Sequence, residues 1–202
     1  MLKIKRKAGR PLAATLGQRR EDLLSAALDL FVEHGYADVS MAMVAKTAHV
    51  AIRTIYIQFG AKDALLRAIV EADAVSHRQQ LEKLELDGLP FAARLEKLAL
   101  HLWRRCSDNR VRKLQAIVFS HPDRTLSDAW RRANPEQMAT LLQKELAAAP
   151  MQFMQDLTPE LLWEHFLSCI AGNPAIVGWT PEPEPEERVR RGLTLFIRAV
   201  SR

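Results

Sequence analysis

Apolar residues recur along this chain at intervals of three and four, the spacing that lines one face of an α-helix. Leu24, Leu28 and Phe31 predict a helix over about 18–34. Gly35 ends it, and Tyr36 is placed to pack back on Phe31, the contact that accompanies a glycine-terminated helix. Ser40 is a good N-cap for a second helix over about 41–48, with Val39 and Val44 spaced as a hydrophobic staple. That helix is two turns long and needs tertiary packing to persist in water. A break at His49-Val50 leads to a third helix over about 51–58, which Gly60 stops. Short helices joined in this way, the second and third by a tight turn, describe a helix-turn-helix.

Rotating the third helix by about 100° per residue sorts its side chains. Ile55 and Phe59 share the inward face, with Ile52 near its edge. Arg53, Thr54 and Ile57 fall on the opposite arc, and Tyr56 lies between the two. His49 stands in the turn, where a positive φ is expected. His is among the few residues other than Gly that tolerate that conformation.

The rest of the chain repeats the helical period. Helices are expected over about 62–86, 91–106, 107–120, 126–148 with a kink or break at Asn134-Pro135, 159–171, and from about Glu186 to Val200. Asp87 to Pro90 breaks the first of these from the second, and TPEPEPEE (180–187) reads as an extended acidic loop. The expected fold is all-α with about nine helices. It comprises a flexible basic arm (1–17), a helix-turn-helix domain (18–61) and a helical C-terminal domain (62–202).

Charge sharpens this division. Residues 1–62 carry ten Lys/Arg and five Asp/Glu, so the net +5 of the whole chain resides there and the other 140 residues balance at 19 of each sign. A local excess of this kind points to a polyanionic partner. The arm holds KAGRP (Lys7 to Pro11), whose Arg10, flanked by Gly and Pro, has a shape that suits a narrow minor groove. Cys106 and Cys169 form neither a disulfide framework nor a metal signature, and suit a reducing, cytoplasmic setting. No signal peptide or membrane-length apolar run is visible. The chain lacks GxSxG, GxGxxG and HExxH motifs, and its six histidines have no metal-ligand spacing with the cysteines, so neither an enzyme nor a cofactor is expected.

The stretch LLSAALDLFVEHGYADVSMAMVAKTAHVAIRTIYIQFGAKDALL, within about residues 18–66, resembles the TetR family of bacterial transcription regulators. The AALDLF helix, the HGY ending, the SMAMVAKTA helix, the TIYIQF helix, and Lys62 followed by Leu65-Leu66 carry the likeness. The chain departs from the family at His49, where Gly is usual, and at Ala51, where Ser is frequent. The resemblance implies a homodimeric helical repressor that binds a palindromic operator on double-stranded DNA. In it Thr54, Tyr56 and Lys62 would grip phosphates, and Arg53 with its neighbour Ile57 would face bases. Arg10, Ser40 and Thr47 complete the candidate DNA-binding residues.

In the C-terminal part, Trp103, Phe119, Trp130, Met138, Trp163 and Phe166 are candidates for the small-molecule pocket that the family holds between such helices, although each also suits plain core packing. Few ionisable residues interleave them, His101 and His165 being the candidates, so an apolar or weakly polar effector is expected. Val189, Leu193, Phe196 and Val200 form a seam that, with Leu162 and Phe166, suits a two-fold dimer interface. Capping of the chain's own core is the alternative. The functional expectation is a ligand-responsive transcriptional regulator that acts on DNA and not on a membrane. The rival is a DNA-binding regulator or architectural protein without an effector.

Overall fold

Ten α-helices are found among the residues that the computed structural model describes, namely 13–149, 158–172 and 185–201. They are α1 (Ala13–His34), α2 (Met41–Thr47), α3 (Ile52–Phe59), α4 (Lys62–Glu82), α5 (Phe91–Ser107), α6 (Asn109–Ser120), α7 (Arg124–Ala133), α8 (Pro135–Ala147), α9 (Pro159–Ala171) and α10 (Pro185–Val200). The chain divides into two compact units between Ala72 and Asp73, a division that falls within α4. The expected domain boundary at Lys62 marks the start of that helix instead. Arg10, the KAGRP stretch and most of the acidic loop lie outside the described residues. Residues 13–17, expected to be part of the arm, are helical.

The first unit forms around Leu23, Leu24, Ala27 and Phe31 of α1, Val44 and Ala45 of α2, Ile55 of α3, and Leu65 and Leu66 of α4, all buried. Its ends follow from local chemistry. Gly35 takes φ 85° and donates its N–H to the Phe31 carbonyl, and the Tyr36 ring lies 5.2 Å from that of Phe31. Ser40 Oγ accepts from the Met43 N–H at 3.2 Å and caps α2.

The second unit has its own core. Leu95, Leu98 and Leu102 of α5, Met138 and Leu142 of α8, Phe166 and Ile170 of α9, and Val189 and Phe196 of α10 meet there. Phe166 and Phe196 meet edge-on at 5.1 Å, an arrangement favoured by the ring quadrupoles. The kink or break expected at Asn134-Pro135 is a break, a full helix boundary. Pro135 opens α8 because it lacks an N–H, and the Asn134 amide donates to the Trp130 carbonyl at the end of α7. The helical stretch expected over 126–148 is therefore two helices.

The seam assigned to a dimer interface requires correction. Val189, Phe166, Phe196 and Val200 are no more than 1% exposed and Leu193 only 7%, all within the chain's own core, and Leu162 packs against the same cluster. The α10 positions have the spacing of one helix face meeting α5 and α9, which leaves Phe166, Val189, Phe196 and Val200 no surface to offer a second chain, while Leu162 is half-buried. The outward apolar positions on α9 and α10 are Leu161 and Leu195. At Gly192 the α9 and α10 backbones approach closely, since a Cβ there would lie 2.9 Å from the carbonyl carbon of Cys169 and nearer still to its oxygen.

Candidate nucleic-acid interface and ligand cavity

The helix-turn-helix is held at its turn by His49, which adopts φ 53°, as the missing glycine requires. The Val50 N–H reaches the Ala45 carbonyl at 3.0 Å and closes the turn. Ala51 begins α3 without a side-chain cap, and the Thr54 N–H bonds its carbonyl instead. Ile55 is fully buried and fixes the rotation of α3. Arg53 and Ile57 then stand exposed, with Ile57 at 74%, while Tyr56 is half exposed and Thr54 half-buried. Ile52, expected at the edge of the packed face, is exposed as well. Thr47 is exposed at the end of α2, next to the exposed Lys46, which periodicity had not singled out.

Lys62 is placed differently from the expectation. Its Nζ donates to three carbonyls of the α1–α2 connection, those of Tyr36 at 2.8 Å, Ala37 at 3.1 Å and Val39 at 3.0 Å. It also sits 4.5 Å from the centre of the Tyr36 ring. An ammonium has three donors, and here each reaches a carbonyl, so Lys62 fastens this turn. The Tyr36 hydroxyl donates to Asp63, and burial together with that carboxylate raises the phenol's pKa well above its ordinary value. The arrangement joins the start of α4 to the end of α1.

The second unit contains a cavity of about 180 Å³ between α4, α5, α6, α7, α8 and α9. Of the six pocket residues expected from sequence, Phe119, Trp130, Met138 and Trp163 line it. Trp103 and Phe166 do not. Both belong to the buried core, Phe166 wedged against Phe196 and Trp163. His165 is exposed.

One wall of the cavity is polar. Arg105 donates to Asp73 at 2.5 Å and to the Asn134 side chain, and its guanidinium faces the Trp130 ring at 5.7 Å. His77, 1% exposed, places Nδ1 3.3 Å from the Ala133 carbonyl and stacks on His101 at 5.2 Å. Burial, and then the nearby Arg105 charge, push both histidines down to about 4, so both are neutral near pH 7. Burial raises the Asp73 carboxyl against the opposing pull of Arg105. Burial also pushes the Cys106 thiol, on the cavity wall, up to about 11. The sequence reading had missed His77, Asp73, Arg105 and Asn134. A signal existed: Asp73 and His77, and likewise His101 and Arg105, are four apart and so share a helix face.

Residues 23–69 match the sequence model of the bacterial regulatory proteins, tetR family. The chain is 30% identical over 90 residues to the HTH-type transcriptional regulator HbdR of Aromatoleum sp. (strain CIB). That match covers 45% of this chain and 38% of HbdR, so the chain spans well under half of that relative's length. Among solved structures, a TetR transcriptional regulator from Agrobacterium tumefaciens matches with a TM-score of 0.71 at 19% identity, over 92% of this chain and 95% of that one. The flavonoid-responsive regulator FrrA matches with a TM-score of 0.64 at 24% identity, over 92% and 98%.

Proposed function

We propose that the chain is a ligand-responsive transcriptional regulator of the tetR kind and not an enzyme, a reading supported by the match of residues 23–69 to that family's sequence model. In this reading a homodimer binds a palindromic operator on double-stranded DNA, and a small, mostly apolar effector releases it. The observation that carries the reading is the exposed arc of α3. A fully buried Ile55 holds Arg53, Tyr56 and Ile57 outward on a segment whose residues match the family. Phosphates take hydroxyl and cationic donors, and base edges take Arg or an apolar contact to a thymine methyl. Arg53 and Ile57 are the base readers in this reading. Thr54, Tyr56, Ser40 and Thr47, with Arg10 of the N-terminal arm, hold the backbone, and Lys46 joins them as an exposed cation.

The cavity of the second unit supports the effector half of the proposal. A DNA-binding protein without an effector has no need of a buried Arg–Asp pair beside an apolar cavity of about 180 Å³. FrrA, which shares the fold, is named as responsive to flavonoids, and an aromatic-walled cavity here is compatible with a ligand of that general character. The exposed Leu161 and Leu195 are the proposed apolar contacts of the homodimer. Among the described residues no helix is long and apolar enough to cross a membrane.

Binding-site selection from random duplexes tests the reading. Wild-type protein is expected to enrich a palindrome, with affinity falling roughly 10³–10⁵-fold between 50 and 200 mM salt for ~6–10 phosphate contacts. Tyr56→Phe should weaken all sequences alike. Arg53→Ala and Ile57→Ala should shift the enriched bases, at about 1–3 kcal/mol per lost readout. No enrichment with a flat salt response would remove duplex DNA as the partner.

A further inference from the structure

We infer, on the reading of the second unit's cavity as an effector site, that the effector is an anion: an apolar body of one or two rings that bears a carboxylate, which Arg112 and Gln115 of α6 receive at the open side of the cavity.

The cavity has two unlike sides. Leu102, Trp130 and Met138, each no more than 4% exposed, form an apolar floor. The α6 side reaches water: Arg112 is half-buried, Gln115 and Phe119 are exposed, and all three line the cavity. They stand at i, i+3 and i+7, so they run in one stripe along the face that α6 turns to it. An apolar floor takes an apolar body, and a charged group is tolerated where it keeps part of its hydration and finds donors. A guanidinium presents a fork of N–H donors that matches the two oxygens of a carboxylate. The Gln115 amide adds N–H donors one turn further on.

The charges agree. Arg105 and Arg112 line the cavity, and among the described residues no Asp or Glu does. Arg105 serves the wall itself, since Asp73 at 2.5 Å, the Asn134 side chain and the Trp130 ring hold its guanidinium. Arg112 is therefore the cation assigned to the ligand. The surroundings carry the same sign. Leu102 to Met138, the stretch that supplies most of the lining residues, holds eight Lys/Arg against four Asp/Glu, a net of +4, although residues 63–202 as a whole balance. A local field of this sign draws anions to the cavity. Trp130 and Trp163 offer ring faces to a flat apolar body. A cavity of about 150 Å³ accommodates benzene, so about 180 Å³ suits one ring or a compact fused pair, with the carboxylate at the open side.

Calorimetry on the full chain tests this with three probes of one ring system: 2-naphthoate, 2-naphthamide and the cation 2-naphthylmethylammonium. The naphthoate is expected to bind about tenfold more tightly than the naphthamide, which keeps the shape and loses the charge, and the cation most weakly. Between about 50 and 500 mM salt the naphthoate should weaken several-fold and the naphthamide should not. Arg112→Met keeps much of the stem's bulk and removes the charge. It should bring the naphthoate down about tenfold, to the level of the naphthamide, and leave the naphthamide within about twofold. Arg112→Lys should retain part of the preference. Circular dichroism checks that each variant folds, and the wild-type comparison with its salt response decides even if one does not. Equal binding of naphthoate and naphthamide overturns the anion assignment, and a naphthoate preference that survives Arg112→Met overturns the role of Arg112. Either outcome leaves the cavity as an effector site. Binding of none of the three overturns both.

Discussion

The ammonium of Lys62 donates to the backbone carbonyl of Tyr36 at 2.8 Å and lies 4.5 Å from the centre of the same residue's ring. One residue thus receives the cation twice, through its carbonyl and through its π-face, while its hydroxyl donates to Asp63, the neighbour of Lys62. The start of α4 and the turn after α1 are held as a unit by this pair.

Lys62→Ala should therefore act on stability. Three carbonyl contacts and a cation–π contact vanish together, at an expected loss of about 1–3 kcal/mol. Thermal unfolding followed by circular dichroism checks the loss. On DNA the slope of log affinity against log salt should stay unchanged for Lys62→Ala, whereas Lys46→Ala should reduce its magnitude by about 1. A reduced slope for Lys62→Ala would return that residue to the phosphate contacts.

Charge placed on the C-terminal helix separates two roles. Phe196→Glu puts a carboxylate at a fully buried position and is expected to unfold the second unit. Leu195→Glu, at a position 61% exposed, should keep full helical content and weaken self-association. Sedimentation with circular dichroism distinguishes them. An undiminished dimer in Leu195→Glu would place the contact elsewhere.

Gly192→Ala should destabilise, although alanine is the better helix former by about 1 kcal/mol. The added Cβ would meet the backbone carbonyl of Cys169, which no rotamer change relieves. Overpacking of this kind costs about 1–3 kcal/mol, and denaturant unfolding should show the melting midpoint shifted downward. An unchanged or raised midpoint would mean that the two helices separate freely.

Acid should weaken the second unit in a defined window. His77 and His101 are held near 4 in the folded chain against an ordinary 6.5. Between those values the unfolded chain binds protons that the folded chain refuses. Their contribution is thus constant above pH 6.5 and is lost progressively as pH falls toward 4. The raised carboxyl of Asp73 works in the opposite sense, since its folded form takes up a proton more readily than the unfolded one. Equilibrium unfolding at intervals from pH 7.5 to 4 follows the balance, and the double variant His77→Phe/His101→Phe should flatten the histidine part.

The helices and their capping residues were legible in the sequence because they are local. Ser40, Gly35 and His49 each act within one turn of the chain, and spacing alone locates Ile55 on the inward face of α3. Which partner a helix face meets is not local. The Val189–Val200 face looks the same whether it meets α5 and α9 of its own chain or another copy, and only the folded core distinguishes them. The carbonyl partners of Lys62 were hidden for a similar reason, since they lie more than twenty residues earlier. The polar wall of the cavity was harder still. Asp73, Arg105 and Asn134 meet across three helices, and each alone resembles an ordinary surface residue.

The contact at Gly192 also limits how the second unit can move. With the backbones of α9 and α10 in touch, a slide by one helical turn would bring Arg188 or Phe196 against the Cys169 carbonyl in place of a hydrogen atom. These two helices are keyed to a single register and can travel only together. The shorter α6 and α7, which present Phe119 and Trp130 to the cavity, carry no such key.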